Sequence, residues 1–235
     1  MIEARVITVC EDPEPGVIHS KFAIRRLYVE NDLLPALAAA GIPASVFPAV
    51  TPKRARISDG KIHYAGQSLK VNSHGCPNNF MSNYLLWQEC VETGRTMLIC
   101  EDDALLTPDA AEVVPPALAE FDALPDHGDI LFLLAQNPSV RGLVRSHPTN
   151  GAASVGKTML RLESAHDLSC TAAYAVRPKA ALTRINRALR IGHDATDSFV
   201  HHAFMEREIG VLVPRDYKRT FMLHEIWEPY CHTPV

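Results

Sequence analysis

Thr96-Met97-Leu98-Ile99-Cys100-Glu101-Asp102-Asp103-Ala104 is the stretch on which the fold turns. Its mostly apolar run, entered from Gly94 and Arg95, predicts a short buried strand. Three carboxylates follow without a spacer. A buried strand ends in adjacent negative charges only where they reach water or a cation, because burying them unpaired is too costly. In extended backbone alternate side chains share a side, so Glu101 and Asp103 are expected to converge. Two hard oxygen ligands so placed suit Mg²⁺ or Mn²⁺ that still holds waters and substrate phosphates. The competing reading is a solvated acidic turn leading into a helix capped by Thr107.

Strands and helices alternate on both sides of this stretch. Upstream, Arg5 to Cys10 predicts a first strand, and Glu11 to Gly16 a loop by its turn chemistry. Phe22 to Ala40 has helical spacing at Ile24, Leu27, Leu34 and Leu37. There Pro35 either divides two helices or marks a first turn, with Asn31 or Asp32 as cap, and Gly41 stops the helix. Ala44 to Val50 predicts a second strand, which Pro48 pushes towards a sheet edge. Residues 51–77, polar and basic, are expected to form a long loop of the kind that serves as a lid or binding segment. Phe80 to Thr93 is helical in its spacing of Met81, Tyr84, Leu85, Trp87, Gln88 and Val91.

Downstream, Thr107-Pro108 starts a helix that runs to about Phe121 and is interrupted near Pro115-Pro116. Asp129 to Leu134 is a fully apolar strand, and Gln136 to Asp167 a second long irregular stretch. Leu168 to Val176 predicts a strand, Pro178 to Leu189 a helix, Thr196 to Glu208 a last helix, and Gly210 to Pro214 a last strand. This alternation predicts one α/β domain over residues 1–235, with a mostly parallel sheet flanked by helices. Ligands of such sheets sit beyond the carboxyl ends of the strands, where Glu101 to Asp103 fall.

At 235 residues and 47% hydrophobic content the chain can bury a sizeable core. A formal charge of −4 gives no electrostatic case for nucleic acid or for an anionic membrane. Six cysteines are scattered without a C-x-x-C pair, which argues against a zinc ribbon or disulfide scaffold and fits a reducing compartment. The N-terminus enters a strand directly, without the apolar core of a signal peptide, and no apolar run is long enough to span a bilayer. A cytoplasmic protein is expected, with at most peripheral contact to a membrane that carries its acceptor.

An ordered set of motifs spans most of the chain. Gly75-Cys76, Ser82-Asn83-Tyr84-Leu85-Leu86-Trp87 and the strand ending in Glu101-Asp102-Asp103 resemble glycosyltransferase family 25. That family pairs a Gly-Cys and a Ser-His-x-x-x-Trp helix with an apolar strand ending in Glu-Asp-Asp. Arg25-Arg26, Gly41-Ile42, Phe47 to Val50, Asp129-Ile130-Leu131, Ala173 to Ala181 and Asp197 to Val200 are similar to its other blocks, in order. The chain departs from the pattern at Asn83, which stands where the family has histidine and cannot titrate. Its Gly-Cys also lies two residues further from that position than usual.

The resemblance implies a GT-A-like, Rossmann-like fold and inverting transfer of a hexose, galactose above others, from a UDP-sugar to a glycan such as lipopolysaccharide. Mn²⁺ or Mg²⁺ would be held by Glu101, Asp103 and a histidine, His224 first, with His201 and His202 behind it. Arg25 or Arg26, Asp102 and Asn83 would contact the donor. Two adjacent helical arginines cannot share a face, so at most one of them serves. Inversion needs a general base on the acceptor hydroxyl. Asp197 matches the family's acid, with Asp194 and Asp167 in reserve; its plain alternative is a first-turn acid stabilised by the helix dipole. Trp87, Tyr84 and Tyr174 are expected in the core.

Two rival readings differ in class. Gly151-Ala152-Ala153-Ser154-Val155-Gly156-Lys157-Thr158 spells the phosphate-loop pattern of nucleotide kinases and NTPases. That chemistry needs a buried strand feeding the loop and a helix leaving it, whereas polar Arg145 to Asn150 precedes and short Met159 to Leu162 follows. The second rival is an inactive relative that binds a glycan or nucleotide, favoured by Asn83 and opposed by the retained acids.

Overall fold

The computed structural model describes residues 2–10, 25–72, 76–133, 152–163 and 171–223. The chain opens with β1 (Glu3–Thr8), a helical stretch over 25–39 that includes α1 (Leu34–Ala39), and β2 (Ala44–Pro48). Three short strands follow, β3 (Arg56–Ser58), β4 (Lys61–Tyr64) and β5 (Gln67–Lys70), and then α2 (Pro77–Thr93). The acid-bearing strand is β6 (Met97–Glu101), followed by β7 (Ala104–Leu106), α3 (Ala110–Ala123) and β8 (Ile130–Phe132). Next come β9 (Ala152–Val155), β10 (Met159–Leu162), β11 (Ala173–Val176), α4 (Pro178–Ile191) and α5 (Thr196–Met205). β12 (Val211–Pro214) and β13 (Phe221–Leu223) complete the described elements.

The central sheet has the order β2-β1-β6-β11-β8-β12-β10-β9. β1 lies parallel to β2 and β6, and β8 parallel to β12, while β11 and β10 run against both of their neighbours. The sheet is thus parallel in most of its strand directions but mixed in its pairing. Local patterns announce a strand without announcing which way its connection returns, so the reversal of β11 was not readable from periodicity.

Alternation along the strands makes the sheet two-faced. Met97 and Ile99 of β6, Tyr174 and Val176 of β11 and Phe132 of β8 join α2, α4 and α5 in one core. Leu98 and Cys100, Ala173 and Ala175, and Leu131 join the helical stretch 25–39 and α3 in the other. With both faces covered, the middle strands carry apolar residues continuously, which is why they read so clearly.

Four expectations are corrected. Residues 51–72 are a three-stranded antiparallel meander, β3-β4-β5, and not a loop. Its turns at Asp59-Gly60 and Ala65-Gly66 hold both central residues at positive φ, the backbone of two-residue hairpins. Pro35 stands in the first turn of α1, one of its two expected places, and does not divide the helical stretch, but the cap expected at Asn31 or Asp32 is not formed. A π turn at Val29–Leu33 precedes α1, and that looser turn accommodates the ring and the missing N–H. Pro115 and Pro116 lie inside an unbroken α3 that starts after Asp109 rather than at Thr107. The carbonyls that their missing N–H groups would have paired belong to Ala111 and Glu112, which lie on the exposed face, open to solvent. Finally, residues 152–162, expected to be irregular, form the β9–β10 hairpin on the sheet edge.

Candidate active site

β6 ends between β1 and β11, and its alternation stops at Glu101 because Asp102 and Asp103 form a turn into β7. The three acids therefore split differently from an extended strand. Asp102 and Asp103 converge on Arg25, while Glu101 turns towards α2. Asp102 is buried; its Oδ1 accepts from Arg25 Nη1 at 2.8 Å and its Oδ2 from Thr8 Oγ1 at 3.2 Å. Arg25 Nη2 lies 3.4 Å from Asp103 Oδ2. Glu101 Oε1 accepts from Asn79 Nδ2 at 3.2 Å. Asp103 Oδ1 is buried with no hydrogen-bond partner among the described residues.

The cluster is electrostatically unbalanced. Burial, followed by the nearby Asp103 carboxylate, pushes the Glu101 carboxyl up to about 7, against the pull of the Asn79 hydrogen bond. Burial also pushes Asp102 up to about 6, although Arg25 works in the opposite direction. Among the described residues, the Arg25 guanidinium is set against three carboxylates, two of them desolvated, and leaves this cluster with an excess of negative charge.

Asn79, which sequence reasoning missed, is the hub behind Glu101. Its Oδ1 accepts from Asn83 Nδ2 at 2.8 Å and from Thr196 Oγ1 at 3.3 Å. Asn83 is itself fully buried. Its Oδ1 accepts from Tyr174 Oη at 2.7 Å, and Tyr174 Oη in turn accepts from Trp87 Nε1 at 3.0 Å. A buried polar line thus runs from Trp87 through Tyr174, Asn83 and Asn79 to Glu101. Asn83 sits in this line with its amide committed to Tyr174 and Asn79, so in this structure it braces Asn79 behind the acid. Trp87, Tyr84 and Tyr174 are core residues, as their spacing predicted. The available signal for Asn79 was its i, i+4 relation to Asn83 on α2.

A profile for "Glycosyltransferase family 25 (LPS biosynthesis protein)" matches residues 23–199, well over half of the chain. The chain belongs to glycosyltransferase family 25. It is therefore a glycosyltransferase, with a sugar donor and an acceptor to bind. No curated protein matches it. Among solved structures, a Bacillus anthracis protein named as a glucose-1-phosphate thymidylyltransferase, in complex with a sucrose, is 10% identical, with 91% of this chain and 86% of that chain covered. The TM-score of 0.39 is too low for that likeness to carry any argument. Among the described residues no helix is long and apolar enough to cross a membrane.

The other residues expected to serve family 25 chemistry divide by position. Arg26 is turned from the acids: it pairs with Glu30 at 2.9 Å and donates to the Cys10 carbonyl at 3.0 Å. Asp194 precedes α5; its Oδ1 accepts from Ala195 N at 2.8 Å and its Oδ2 lies 3.7 Å from His202 Nδ1. Asp197 stands in the first turn of α5, one residue after the Thr196 that touches Asn79, and its side chain is outside the described residues, as are Asp167 and His224. His201 and His202 lie on α5.

No group of three or more His, Cys, Asp or Glu side chains is poised for a metal ion among the described residues. Mg²⁺ and Mn²⁺ sites need fewer, since they keep waters and substrate oxygens. Asp103 Oδ1, buried and without a partner among the described residues, in a cluster where those residues supply an excess of acids, fits a hard cation.

The phosphate-loop reading fails on geometry. Residues 152–162 are a strand, a turn and an antiparallel strand, with no helix to aim amides at a phosphate. The anion in that turn is the chain's own Glu120, whose Oε1 accepts from Lys157 N and whose Oε2 accepts from Thr158 N, each at 2.7 Å. Thr158 Oγ1 donates to the same carboxylate. Gly156 has φ +58° and a Cβ there would strike the Glu120 carboxylate, so the glycine serves the hairpin and its clasp.

Proposed function

We propose that the chain is an inverting, metal-dependent enzyme that moves galactose from a UDP-sugar to a glycan of the lipopolysaccharide kind. The observation that carries this reading is the excess of negative charge at the carboxyl end of the central strand. Two desolvated carboxylates, Glu101 and Asp102, stand beside Asp103 with Arg25 as the arginine paired with them among the described residues, and such an arrangement is kept where a ligand supplies further positive charge.

Asp103 and Glu101 are the residues that would hold Mn²⁺ or Mg²⁺, with His224 as the third side chain. A bound divalent cation offsets negative charge on a departing diphosphate. Arg25, aimed by Asp102 and Asp103, adds a second positive group at the same place. Asp102 is braced by Thr8 and Arg25, so its role is to set the guanidinium rather than to touch the ribose. In the transfer itself, the acceptor hydroxyl oxygen forms its bond to the anomeric carbon as the carbon–oxygen bond to the diphosphate breaks. Asp197 takes the hydroxyl proton, and UDP leaves with the bonding electrons. Asp194 is the reserve. A cytoplasmic site, where nucleotide sugars are available, goes with this reading.

The test is a hydrolysis screen over nucleotide sugars with and without Mn²⁺, which needs no knowledge of the acceptor. Turnover of UDP-galactose that requires the metal and is lost in Asp103→Asn is the expected result. Turnover indifferent to both overturns the proposal.

A further inference from the structure

The meander β3-β4-β5 combines an unusual charge with a fixed mounting. Segment 51–72 holds Lys53, Arg54, Arg56, Lys61 and Lys70 against the single acid Asp59, a formal +4 in a chain of −4. Its register sorts these residues onto two faces. Ile62 and Leu69 pair across β4 and β5 and are buried in the core beside Phe80 and Trp87. On the other face, Ser58, Lys61 and Lys70 form one cross-strand row, and Arg56, His63 and Ser68 the next. Arg56, Lys61, Ser68 and Lys70 are exposed, with His63 and Ser58 half-buried between them. The face therefore offers cations interleaved with hydroxyls and an imidazole.

Both ends of the meander are tied beside the active site. On entry, Ala49 N donates to the carbonyl of Thr8, the residue that braces Asp102, at 2.8 Å, and Val50 N donates to Ser82 Oγ at 2.8 Å. On exit, Asn72 N donates to His193 Nδ1 at 2.8 Å and Asn72 Nδ2 to the Ile191 carbonyl at 3.0 Å, immediately before Asp194 and Asp197. The basic face is thus hung between the acid cluster and the segment that carries the candidate base.

We infer that this face is the platform for the acceptor, and that the acceptor is a saccharide bearing phosphate or carboxylate groups. The inference rests on the transferase reading. A cationic face with hydroxyls matches an anionic sugar by charge and by hydrogen bonding. A bilayer fits less well, because membrane-surface segments present apolar or aromatic anchors among their cations. Here the exposed Ile57 pairs with Ile62 and belongs to the opposite face.

The experiment measures binding of a phosphorylated oligosaccharide and its dephosphorylated twin to the full chain, by calorimetry, at low and at physiological salt. The wild type should prefer the phosphorylated form, and Lys61→Gln with Lys70→Gln should weaken that binding by about tenfold or more at low salt, with less effect as salt screens the surface. The charge-preserving Lys61→Arg with Lys70→Arg should retain it, which separates charge from folding. Equal affinity for the two saccharides, or an affinity unmoved by the glutamine pair, overturns the platform. So does a glutamine pair that loses only its adsorption to vesicles of anionic phospholipid. Donor hydrolysis by the wild type separates the two readings. Saccharide binding without donor turnover removes the transferase mechanism and keeps the surface, while donor turnover with charge-blind saccharide binding does the reverse.

Discussion

Burial and Asp103 hold the Glu101 carboxyl near 7, against an ordinary value of 4.5, so the folded chain keeps this proton more tightly than the unfolded chain does. Stability from this group is therefore present at and below pH 4.5 and is lost as the pH rises towards 7. Glu101→Gln keeps an acceptor for Asn79 but carries no charge. It should melt with the wild type near pH 4.5 and a few degrees above it at pH 8, a gain of roughly 1–3 kcal/mol, measured by calorimetry without metal or nucleotide. An equal difference at both pH values would mean the carboxylate is solvated. Behind it, Asn83→Ala leaves the buried Tyr174 hydroxyl without its acceptor and should cost about 1–3 kcal/mol in denaturant unfolding. The three acids were legible because adjacent charges after an apolar strand have few explanations. Asn79 was not, since an uncharged amide on a helix looks like any polar residue until the fold brings β6 and α5 to it. The pairing of Arg25 with Asp102 was likewise hidden, joining positions far apart in the chain.

Elements with long apolar runs announced themselves, and those built from single apolar residues did not. β6, β8, β11 and β12 are buried on both faces, and α2 and α4 are long enough for their period to emerge. Each strand of the meander places only one or two apolar residues among charges and hydroxyls, so composition suggested a loop; only the Asp59-Gly60 turn signalled a hairpin. β7 and β13 are three residues each and pair across more than a hundred positions, beyond any local signal. The β9–β10 hairpin hid behind a motif whose letters it shares. There the binding groups are main-chain amides, so Lys157→Ala should leave the turn unchanged, whereas Glu120→Ala should release it. Hydrogen exchange at the Lys157 and Thr158 amides is the readout, with about a tenfold or greater loss of protection expected for the glutamate variant alone. Hydrogen bonds from Thr158 and Lys157 hold Glu120 below its ordinary range, so the clasp is present at neutral pH and is lost on acidification below pH 4.5.

Charge is divided across the molecule, with acids at the mouth of the middle strand and cations on the meander beside it, and this division ties ligand binding to pH. Under the proposed chemistry, Mn²⁺ competes with protons for Glu101, whose carboxyl is pushed up to about 7. At pH 7.5 this carboxyl is largely ionised, and at pH 5.5 it must give up a proton before the cation can bind. Affinity for Mn²⁺ with UDP should therefore fall roughly ten- to a hundredfold between these pH values. Because a ligand that binds only the folded chain stabilises it by the logarithm of one plus the ratio of free ligand to Kd, the fall in affinity is visible as a shrinking thermal shift. ATP with Mg²⁺ should give a smaller shift than UDP with Mn²⁺, since the phosphate-loop letters form a hairpin closed on Glu120. Asp103→Asn should abolish the UDP shift at both pH values, while Lys157→Ala should leave it intact. A shift with UDP and Mn²⁺ that is the same at pH 5.5 and 7.5 would disconnect the acids from the donor, because no cation held by a carboxylate of such raised affinity for protons could ignore a hundredfold rise in proton concentration.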